Sequence, residues 1–299
     1  MSSFSKIVEY GHMVRFSHSL FAMPFAIGSM WVAANGFRGM ETGEIAKLVL
    51  LILGCMVTAR NSSMSFNRLV DAQIDAKNPR TAKRHLVTGT LSKKAVTGFI
   101  AVNAGLFCTF AWLLNPLAGS FSFPVLCALA FYSYWKRFSW LCHWYLGFAI
   151  GMSPLGAWIA VRGEFAAFPI FLMFILMLWM GGFDIIYATQ DEEIDRKEGL
   201  HSVPARFGRK MALKIALASH LAMLALCVFF GFYWQMGVAW WSVFALMAIA
   251  ILYIHLFRKS DDLDAMNRDF FLANVGVSVL VMLGLIAWIL LGGDVNALR

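Results

Sequence analysis

Residues Asn67–Lys94 read NRLVDAQIDAKNPRTAKRHLVTGTLSKK and form a polar, charged island between two long apolar segments. Asn67, Asp71 and Asp75 are four residues apart, a spacing that puts an amide and two carboxylates on one face of a helix. The loop that follows is basic, with Arg80, Lys83 and Arg84. Carboxylates beside bases, in a chain with long apolar segments, suggest a divalent cation that is shared with a phosphate-bearing substrate.

The composition is that of a membrane protein, because 60% of the 299 residues are hydrophobic and only 14% are charged. Apolar segments long enough to cross ~30 Å of hydrocarbon as helices lie at about 16–34, 45–66, 95–114, 117–135, 140–161, 165–184, 213–232, 236–257 and 270–291. The first lacks the pattern of a cleavable signal peptide and is expected to remain as a helix, with a kink at Pro24. We expect an all-α, polytopic membrane protein. One domain over residues 1–299 would form nine transmembrane helices around a cavity that opens at the cytoplasmic side.

The basic residues predict the orientation of the chain in the membrane. Twenty Lys and Arg residues fall on the side of the island, whereas the opposite side has only Arg38, Lys47, Arg162 and Arg299. This asymmetry predicts a cytoplasmic N-terminus and an external C-terminus in a bacterial inner membrane, with the site facing the cytoplasm. Attraction to lipid headgroups would also favour a basic belt, but it does not explain the carboxylates among the bases.

The acidic pattern of the island recurs later in the chain. At an offset of 120 residues, Asp71, Asp75 and Lys77 correspond to Asp191, Asp195 and Lys197, and Asn67 corresponds to Tyr187. Each copy ends an apolar segment and precedes a basic loop, which predicts an internal repeat whose halves face each other across a shared cavity. Asp184 lies two helical turns before Asp191 on the same face, so it is expected to line the cavity wall.

Facing rows of carboxylates can hold Mg²⁺, which prefers a few carboxylates together with phosphate oxygens and water. Neighbouring Arg and Lys residues would then clamp a diphosphate. A substrate at a membrane interface is expected to carry a long hydrocarbon on its other end. Loss of diphosphate from an allylic carbon gives a carbocation, which needs a dry, aromatic cavity and an electron-rich acceptor.

The two motifs together resemble the UbiA superfamily of membrane aromatic prenyltransferases, typified by 4-hydroxybenzoate polyprenyltransferase. The resemblance runs from about Arg15 to Gly208 and includes Arg60, the run PRTAKR at 79–84, and Tyr132 with the pair Lys136-Arg137. It implies nine transmembrane helices, Mg²⁺, and transfer of a polyprenyl chain from its diphosphate to an aromatic ring in ubiquinone or menaquinone biosynthesis.

The resemblance also implies roles for individual residues. Mg²⁺ and diphosphate would be held by Asn67 and by the catalytic carboxylates Asp71, Asp75, Asp191 and Asp195. The phosphate clamp would comprise Arg80, Arg84, Lys136, Arg137 and Lys197. The acceptor carboxylate or the diphosphate would meet Arg15 and Arg60, and the carbocation would be lined by Tyr132 and Tyr187.

The acceptor ring stays open between two small aromatic acids. Residues 182–208, GFDIIYATQDEEIDRKEGLHSVPARFG, are most similar to a bacterial branch of the family. Some members of that branch serve the futalosine route to menaquinone, so 1,4-dihydroxy-6-naphthoate is an alternative to 4-hydroxybenzoate. His85 and His18 depart from the pattern of relatives. Both departures leave the identity of the acceptor open and do not affect the metal chemistry. We expect membrane lipid around the protein. We expect no nucleic acid as a partner.

Two other classes of protein share parts of the pattern. CDP-alcohol phosphotransferases use paired Asp motifs at membrane interfaces, but they carry a DGxxAR element that neither copy here contains. A membrane transporter would also suit an internal repeat with charges in the membrane, but its acidic residues should lie near the midplane. The acidic residues here cluster at predicted helix ends.

Overall fold

The computed structural model describes residues 3–14, 21–257 and 263–298. All of the regular secondary structure in these ranges is helical. The α-helices are α1 Ser3–Met13, α2 Met23–Ala33, α3 Thr42–Val70, α4 Ala72–Lys77, α5 Lys93–Leu114, α6 Pro116–Trp135, α7 Cys142–Arg162, α8 Ala167–Ala188, α9 Glu192–Lys197, α10 Val203–Phe207, α11 Arg209–Tyr233, α12 Val238–Leu252 and α13 Leu263–Leu290. A π-helical turn at Tyr253–Phe257 extends α12.

Eight helices in the described ranges are long and apolar enough to cross a membrane. They confirm the prediction of an all-α, multi-pass membrane protein, with one difference at the N-terminal end. There, the segment expected to span at 16–34 contains the 11-residue apolar helix α2, and residues 15–20 lie outside the described ranges. Pro24 lies in the first turn of α2, where its missing N–H costs no helical hydrogen bond, so the kink predicted there is wrong.

Helix α8 is the central element of the bundle. It packs against α7 on one side and α11 on the other, and its side chains Phe168, Leu172 and Trp179 are fully buried. Helices α7 and α8 approach closely at Gly147, which has no Cβ. A Cβ at this position would lie only 2.2 Å from the Met177 carbonyl oxygen. Small residues at such an interface let two membrane helices approach and pack through their backbones. Because α8 leads directly into the second acidic motif, this packing fixes the position of that motif.

The two copies of the acidic motif have the same local construction. The long helix α3 ends at Val70, Asp71 adopts φ −89° and ψ 1°, and the short helix α4 follows. In the second copy α8 ends at Ala188, and Asp191 adopts φ −105° and ψ 6° before the short helix α9. Each motif therefore lies at a break between a membrane helix and a short helix, so the single continuous helical row expected for the first motif is interrupted at Asp71.

Candidate active site

Asp71 is the most enclosed carboxylate of the first motif, with 1% of its surface exposed. The Asn67 amide nitrogen donates to Asp71 Oδ2 at 3.0 Å, across the turn that joins α3 to α4. Two cations from the end of α6 reach the same carboxylate, with Lys136 Nζ 2.9 Å from Oδ2 and Arg137 Nη2 3.2 Å from Oδ1. The structure thus brings Lys136 and Arg137, which the resemblance assigns to the phosphate clamp, into contact with the first motif.

Asp75 is bound by the basic loop that follows its own motif. Arg84 Nη1 lies 2.6 Å from both oxygens of the Asp75 carboxylate, which is 4% exposed. The Thr81 hydroxyl donates to the Asp75 carbonyl oxygen at 3.0 Å and folds the loop back over α4. Charge-assisted hydrogen bonds of this kind are stronger than those between neutral groups, so they fix the position of the Asp75 side chain.

The two motifs meet through Asp191. Arg80 Nε donates to Asp191 Oδ1 at 2.9 Å, and Arg80 Nη2 pairs with the other oxygen, Oδ2. The Asn78 amide also donates to Asp191 Oδ1 at 2.9 Å. Tyr187 joins the cluster because Arg80 Nη1 donates to its hydroxyl at 2.9 Å. Residues more than 100 positions apart in the chain therefore form one polar cluster. The two copies of the motif face each other, as predicted, and here they are in direct contact.

A second connection lies at the edge of the same cluster. Lys77 Nζ at the end of α4 is 2.5 Å from Glu198 Oε2, just after α9. Nearby, burial raises the pKa of Asp195 above its usual range, an effect that Ser202 opposes by hydrogen bonding and the neighbouring Asp191 charge reinforces. Lys197, the predicted partner of the diphosphate in this copy, is exposed.

A small basic pocket of about 280 Å³ lies beside Asp75. Its lining includes the cations Arg68, Arg80, Lys83 and Arg84. His12 and Met13 of α1 also line it, and α1 is tied to the loop through the pair Glu9–His85, at 2.9 Å. The sequence placed Arg80, Lys83 and Arg84 in the basic loop of the site and proposed Arg80 and Arg84 for the phosphate clamp, but it did not predict Arg68 there.

A larger apolar cavity of about 480 Å³ lies between α2, α3, α5, α6 and α7. Its aromatic lining consists of Phe21, Phe107, Phe121, Phe148 and Phe165. Arg60 also lines this cavity, and its Nη2 donates to the Val14 carbonyl oxygen at 3.3 Å. Because Arg60 lies seven residues before Asn67 on α3, the cavity begins about two helical turns from the first motif.

Asp184 and Tyr132 lie deeper than the polar cluster. The Asp184 carboxylate is held by His143 Nδ1 at 2.7 Å, and His143 Nε2 accepts a hydrogen bond from the Val203 backbone N–H. The Tyr132 hydroxyl is within electrostatic range of both Asp71 and Asp184. Arg15, another predicted site residue, lies outside the described residues.

Comparison with known proteins decides the family. The family model described as the UbiA prenyltransferase family matches residues 21–275, which is most of the chain. The chain belongs to the UbiA prenyltransferase family. The resemblance stated from the two acidic motifs is thereby confirmed, and the chain is a membrane prenyltransferase.

Relatives within the family match almost end to end. A 4-hydroxybenzoate octaprenyltransferase of Vibrio atlanticus (strain LGP32) is 29% identical over 286 residues, which cover 95% of this chain and 99% of the relative. A 4-hydroxybenzoate octaprenyltransferase of Pseudomonas aeruginosa (strain LESB58) is 28% identical over 259 residues, which cover 87% of this chain and 85% of the relative.

Solved structures of the family share the fold. The apo structure of a UbiA homologue from Aeropyrum pernix K1 is 29% identical with a TM-score of 0.78, and the match covers 90% of this chain and 97% of that one. A UbiA homologue from Archaeoglobus fulgidus bound to GPP and Mg²⁺ is 18% identical with a TM-score of 0.69, over 93% and 99% of the two chains.

The carboxylates of this prenyltransferase are paired with bases in the structure. Within the described ranges, no three His, Cys, Asp or Glu side chains gather closely enough to hold a metal ion. Asp71, Asp75 and Asp191 are each bound by Lys or Arg. Their hard oxygen atoms nevertheless match the ligands that Mg²⁺ prefers, so the donor set fits the cation that the sequence predicted.

Three functional contacts escaped the sequence reasoning. Asn78 donates to Asp191, Arg68 donates to Asn67 Oδ1 at 3.3 Å, and His143 holds Asp184. The position of Asn78 before a proline offered a signal for a turn but none for its partner. For Arg68 and His143 the sequence offered no signal, since each partner is set by the packing of neighbouring helices.

Proposed function

We propose that this chain transfers a polyprenyl group from a polyprenyl diphosphate to a small aromatic acid, with Mg²⁺, in ubiquinone or menaquinone biosynthesis. The observation that carries the proposal is the basic pocket beside Asp75. This pocket includes Arg80, which joins the two acidic motifs by its bond to Asp191, and it lies close to an apolar cavity. A charged head and a hydrocarbon tail are the two parts of a polyprenyl diphosphate. The names of the relatives support a 4-hydroxybenzoate-type acceptor.

The diphosphate would occupy the basic pocket. Its oxygens would compete with the carboxylates of Asp191 and Asp75 for Arg80 and Arg84. Lys136 and Arg137 lie on the other side of Asp71 and are further candidates for the clamp, together with Lys197. Guanidinium groups suit this task because they bind phosphate through two parallel hydrogen bonds.

The carboxylates released by this exchange would hold Mg²⁺. The candidate ligands are Asn67, Asp71, Asp75, Asp191 and Asp195. Bound there, Mg²⁺ would supply positive charge that stabilises the diphosphate as it leaves. Homologues from Archaeoglobus fulgidus were solved with GPP and Mg²⁺, with DMAPP and Mg²⁺, and with Cd²⁺, which supports a divalent cation in this fold.

The hydrocarbon chain would lie in the apolar cavity. Its phenylalanines exclude water, and Tyr132 and Tyr187 are candidates to stabilise positive charge on the allylic carbon. In the reaction the bond from that carbon to the diphosphate oxygen breaks, a bond forms to a ring carbon of the acceptor, and the ring loses a proton. Arg60 lines the cavity near the first motif and is a candidate, with Arg15, to meet the acceptor carboxylate.

The membrane orientation belongs to the same proposal. The polar cluster lies at the end of the bundle that carries most of the Lys and Arg residues, which supports a site facing the cytoplasm of a bacterium, in its inner membrane. The described residues contain eight full-length spans, so a cytoplasmic N-terminus and an external C-terminus require α2 to count as the ninth.

A direct assay tests the proposed function. Membranes containing the protein are incubated with Mg²⁺ and a polyprenyl diphosphate, with either 4-hydroxybenzoate or 1,4-dihydroxy-6-naphthoate as acceptor. Prenylation of one acid identifies the acceptor and supports the proposal. Absence of prenylation of both, in membranes where the protein is folded, contradicts it.

A further inference from the structure

His143 forms a buried link between three parts of the chain. It lies in the first turn of α7, and its Nδ1 is 2.7 Å from Asp184 Oδ2 on α8. Its Nε2 lies 3.1 Å from the backbone nitrogen of Val203, at the start of α10. The ring itself is only 3% exposed, so water does not compete for either nitrogen.

The two hydrogen bonds fix the tautomer of this imidazole. A backbone N–H can only donate, so Nε2 of His143 must accept from Val203 and cannot carry a proton in that bond. The proton of a neutral ring is then on Nδ1, which donates to the Asp184 carboxylate. The Val203 contact therefore determines that His143 presents a donor to Asp184.

Asp184 differs from the other carboxylates near the site. Within the described residues, the ion pairs of Asp71, Asp75 and Asp191 are made with Lys or Arg, whereas that of Asp184 is made with His143. The side chain of Asp184 remains 22% exposed although it lies near the end of a membrane helix. Its contact with His143 uses Oδ2 and leaves Oδ1 as a hydrogen-bond acceptor.

The position of Asp184 suits one end of an aromatic acceptor. It lies on α8 seven residues before Asp191, about two helical turns below the polar cluster. In the proposed reaction the acceptor ring would meet the allylic carbon just below the diphosphate, which is the depth at which Asp184 lies. A carboxylate surface repels the acid group of the acceptor and attracts a hydroxyl donor.

We propose that His143 is a positioning residue that orients Asp184 so that its free oxygen accepts a hydrogen bond from the ring hydroxyl of the acceptor. The inference rests on the proposed function, because it assigns the acceptor end of the same site. It predicts that the two polar groups of the acceptor bind at different places. The hydroxyl would bind to Asp184, and the acid group would bind to a cation such as Arg60.

Two amide substitutions separate the two hydrogen bonds of His143. In His143→Asn the amide nitrogen can take the place of Nδ1 and donate to Asp184, but the bond to Val203 is lost. In His143→Gln the amide oxygen can take the place of Nε2 and accept from Val203, but the donor to Asp184 is lost. We expect His143→Gln to raise the KM for the acceptor about tenfold, because a hydrogen bond to a charged group is lost. The KM for the prenyl diphosphate should be unchanged, and His143→Asn, which keeps a donor to Asp184, should raise the KM for the acceptor clearly less than His143→Gln does.

The double variant His143→Gln with Asp184→Asn gives an independent reading. If His143 acts through Asp184, the two changes together should raise the acceptor KM no more than Asp184→Asn alone. The inference is overturned if His143→Gln behaves as wild type while His143→Asn loses activity and thermal stability, since His143 would then serve only to anchor Val203. It is also overturned if both KM values rise equally.

The same experiments separate this inference from the proposed function. Wild-type protein in the same membranes must prenylate 4-hydroxybenzoate or 1,4-dihydroxy-6-naphthoate. Failure of the wild type with both acids overturns the proposed function and this inference with it. Normal transfer by the wild type, with no difference between the Asn and Gln variants, overturns this inference alone.

Discussion

Arg80 and Asp191 join the two halves of the site, with Arg80 Nε 2.9 Å from Asp191 Oδ1 although the two residues are 111 positions apart in the chain. Arg80 belongs to the loop after the first motif, and Asp191 begins the short helix of the second. Arg80, Arg84, Lys136 and Arg137 each pair with an acid that the proposed reaction assigns to Mg²⁺. Substrate binding would exchange these pairs, with the bases moving to phosphate and the acids to the cation.

Arg80→Ala should lower kcat/KM for the prenyl diphosphate by about 10- to 100-fold, because two charge-assisted hydrogen bonds to phosphate are lost. The measurement is steady-state kinetics with the acceptor saturating. Lys94→Ala is the matched control, since Lys94 is an exposed cation at the start of α5, outside the pocket. Equal effects of the two changes would mean that only the general positive charge of this surface matters.

Asp71→Asn should abolish turnover while the protein stays folded. The amide keeps the shape of the side chain but cannot neutralise Lys136 and Arg137 or act as a strong ligand to Mg²⁺. Turnover and the thermal unfolding midpoint in detergent are the measurements. Glu164→Gln, an exposed acid at the other end of the bundle, serves as control. Near-normal activity of Asp71→Asn would refute the assignment of Asp71 to the metal.

Mg²⁺ should bind weakly to the protein alone and much more tightly once a prenyl diphosphate is present. The reason is that Arg80, Arg84 and Lys136 hold the carboxylates until phosphate draws these bases away. Calorimetric titration of Mg²⁺ with and without a non-hydrolysable diphosphate analogue measures the difference. Equally tight binding in both titrations would contradict the exchange of partners, and transfer that persists in excess EDTA would contradict the need for a metal.

Gly147→Ala should destabilise the protein by at least about 1–3 kcal/mol, as overpacking of a close interface does. The added Cβ would lie 2.2 Å from the Met177 carbonyl oxygen and push α7 away from α8. The thermal unfolding midpoint in detergent is the measurement. Gly156→Ala, on the same helix but with no atom within 4 Å of its Cβ, should have little effect. Similar midpoints for both variants would show that α7 and α8 pack less closely.

Membrane orientation can be tested with single cysteines in a cysteine-free background. Lys83→Cys and Lys210→Cys replace exposed residues near the polar cluster, and Glu164→Cys replaces one at the opposite end. An impermeant thiol reagent added to intact cells should label only Glu164→Cys, because the basic end is expected in the cytoplasm. Labelling of Lys83→Cys under these conditions would reverse the proposed topology.

Several features of the structure could be read from local sequence. The apolar segments gave the helical class and eight of the spans, because burial in lipid demands long apolar helices whatever their neighbours are. The repeat of Asp71 and Asp75 at Asp191 and Asp195 identified both halves of the site. The first span was less predictable, since its apolar residues continue through a turn before Pro24 that hydropathy does not detect.

Sequence alone therefore determined the class of the protein, the two acidic motifs and the bases beside them, since these depend on residue type and short-range spacing. Tertiary structure decided which base meets which acid. Arg80 pairs across the repeat with Asp191, Arg84 pairs within its own copy with Asp75, and Lys197 faces outward despite its matching position. It also decided that His143 holds Asp184, because that contact exists only where α7 and α8 are brought together by close packing.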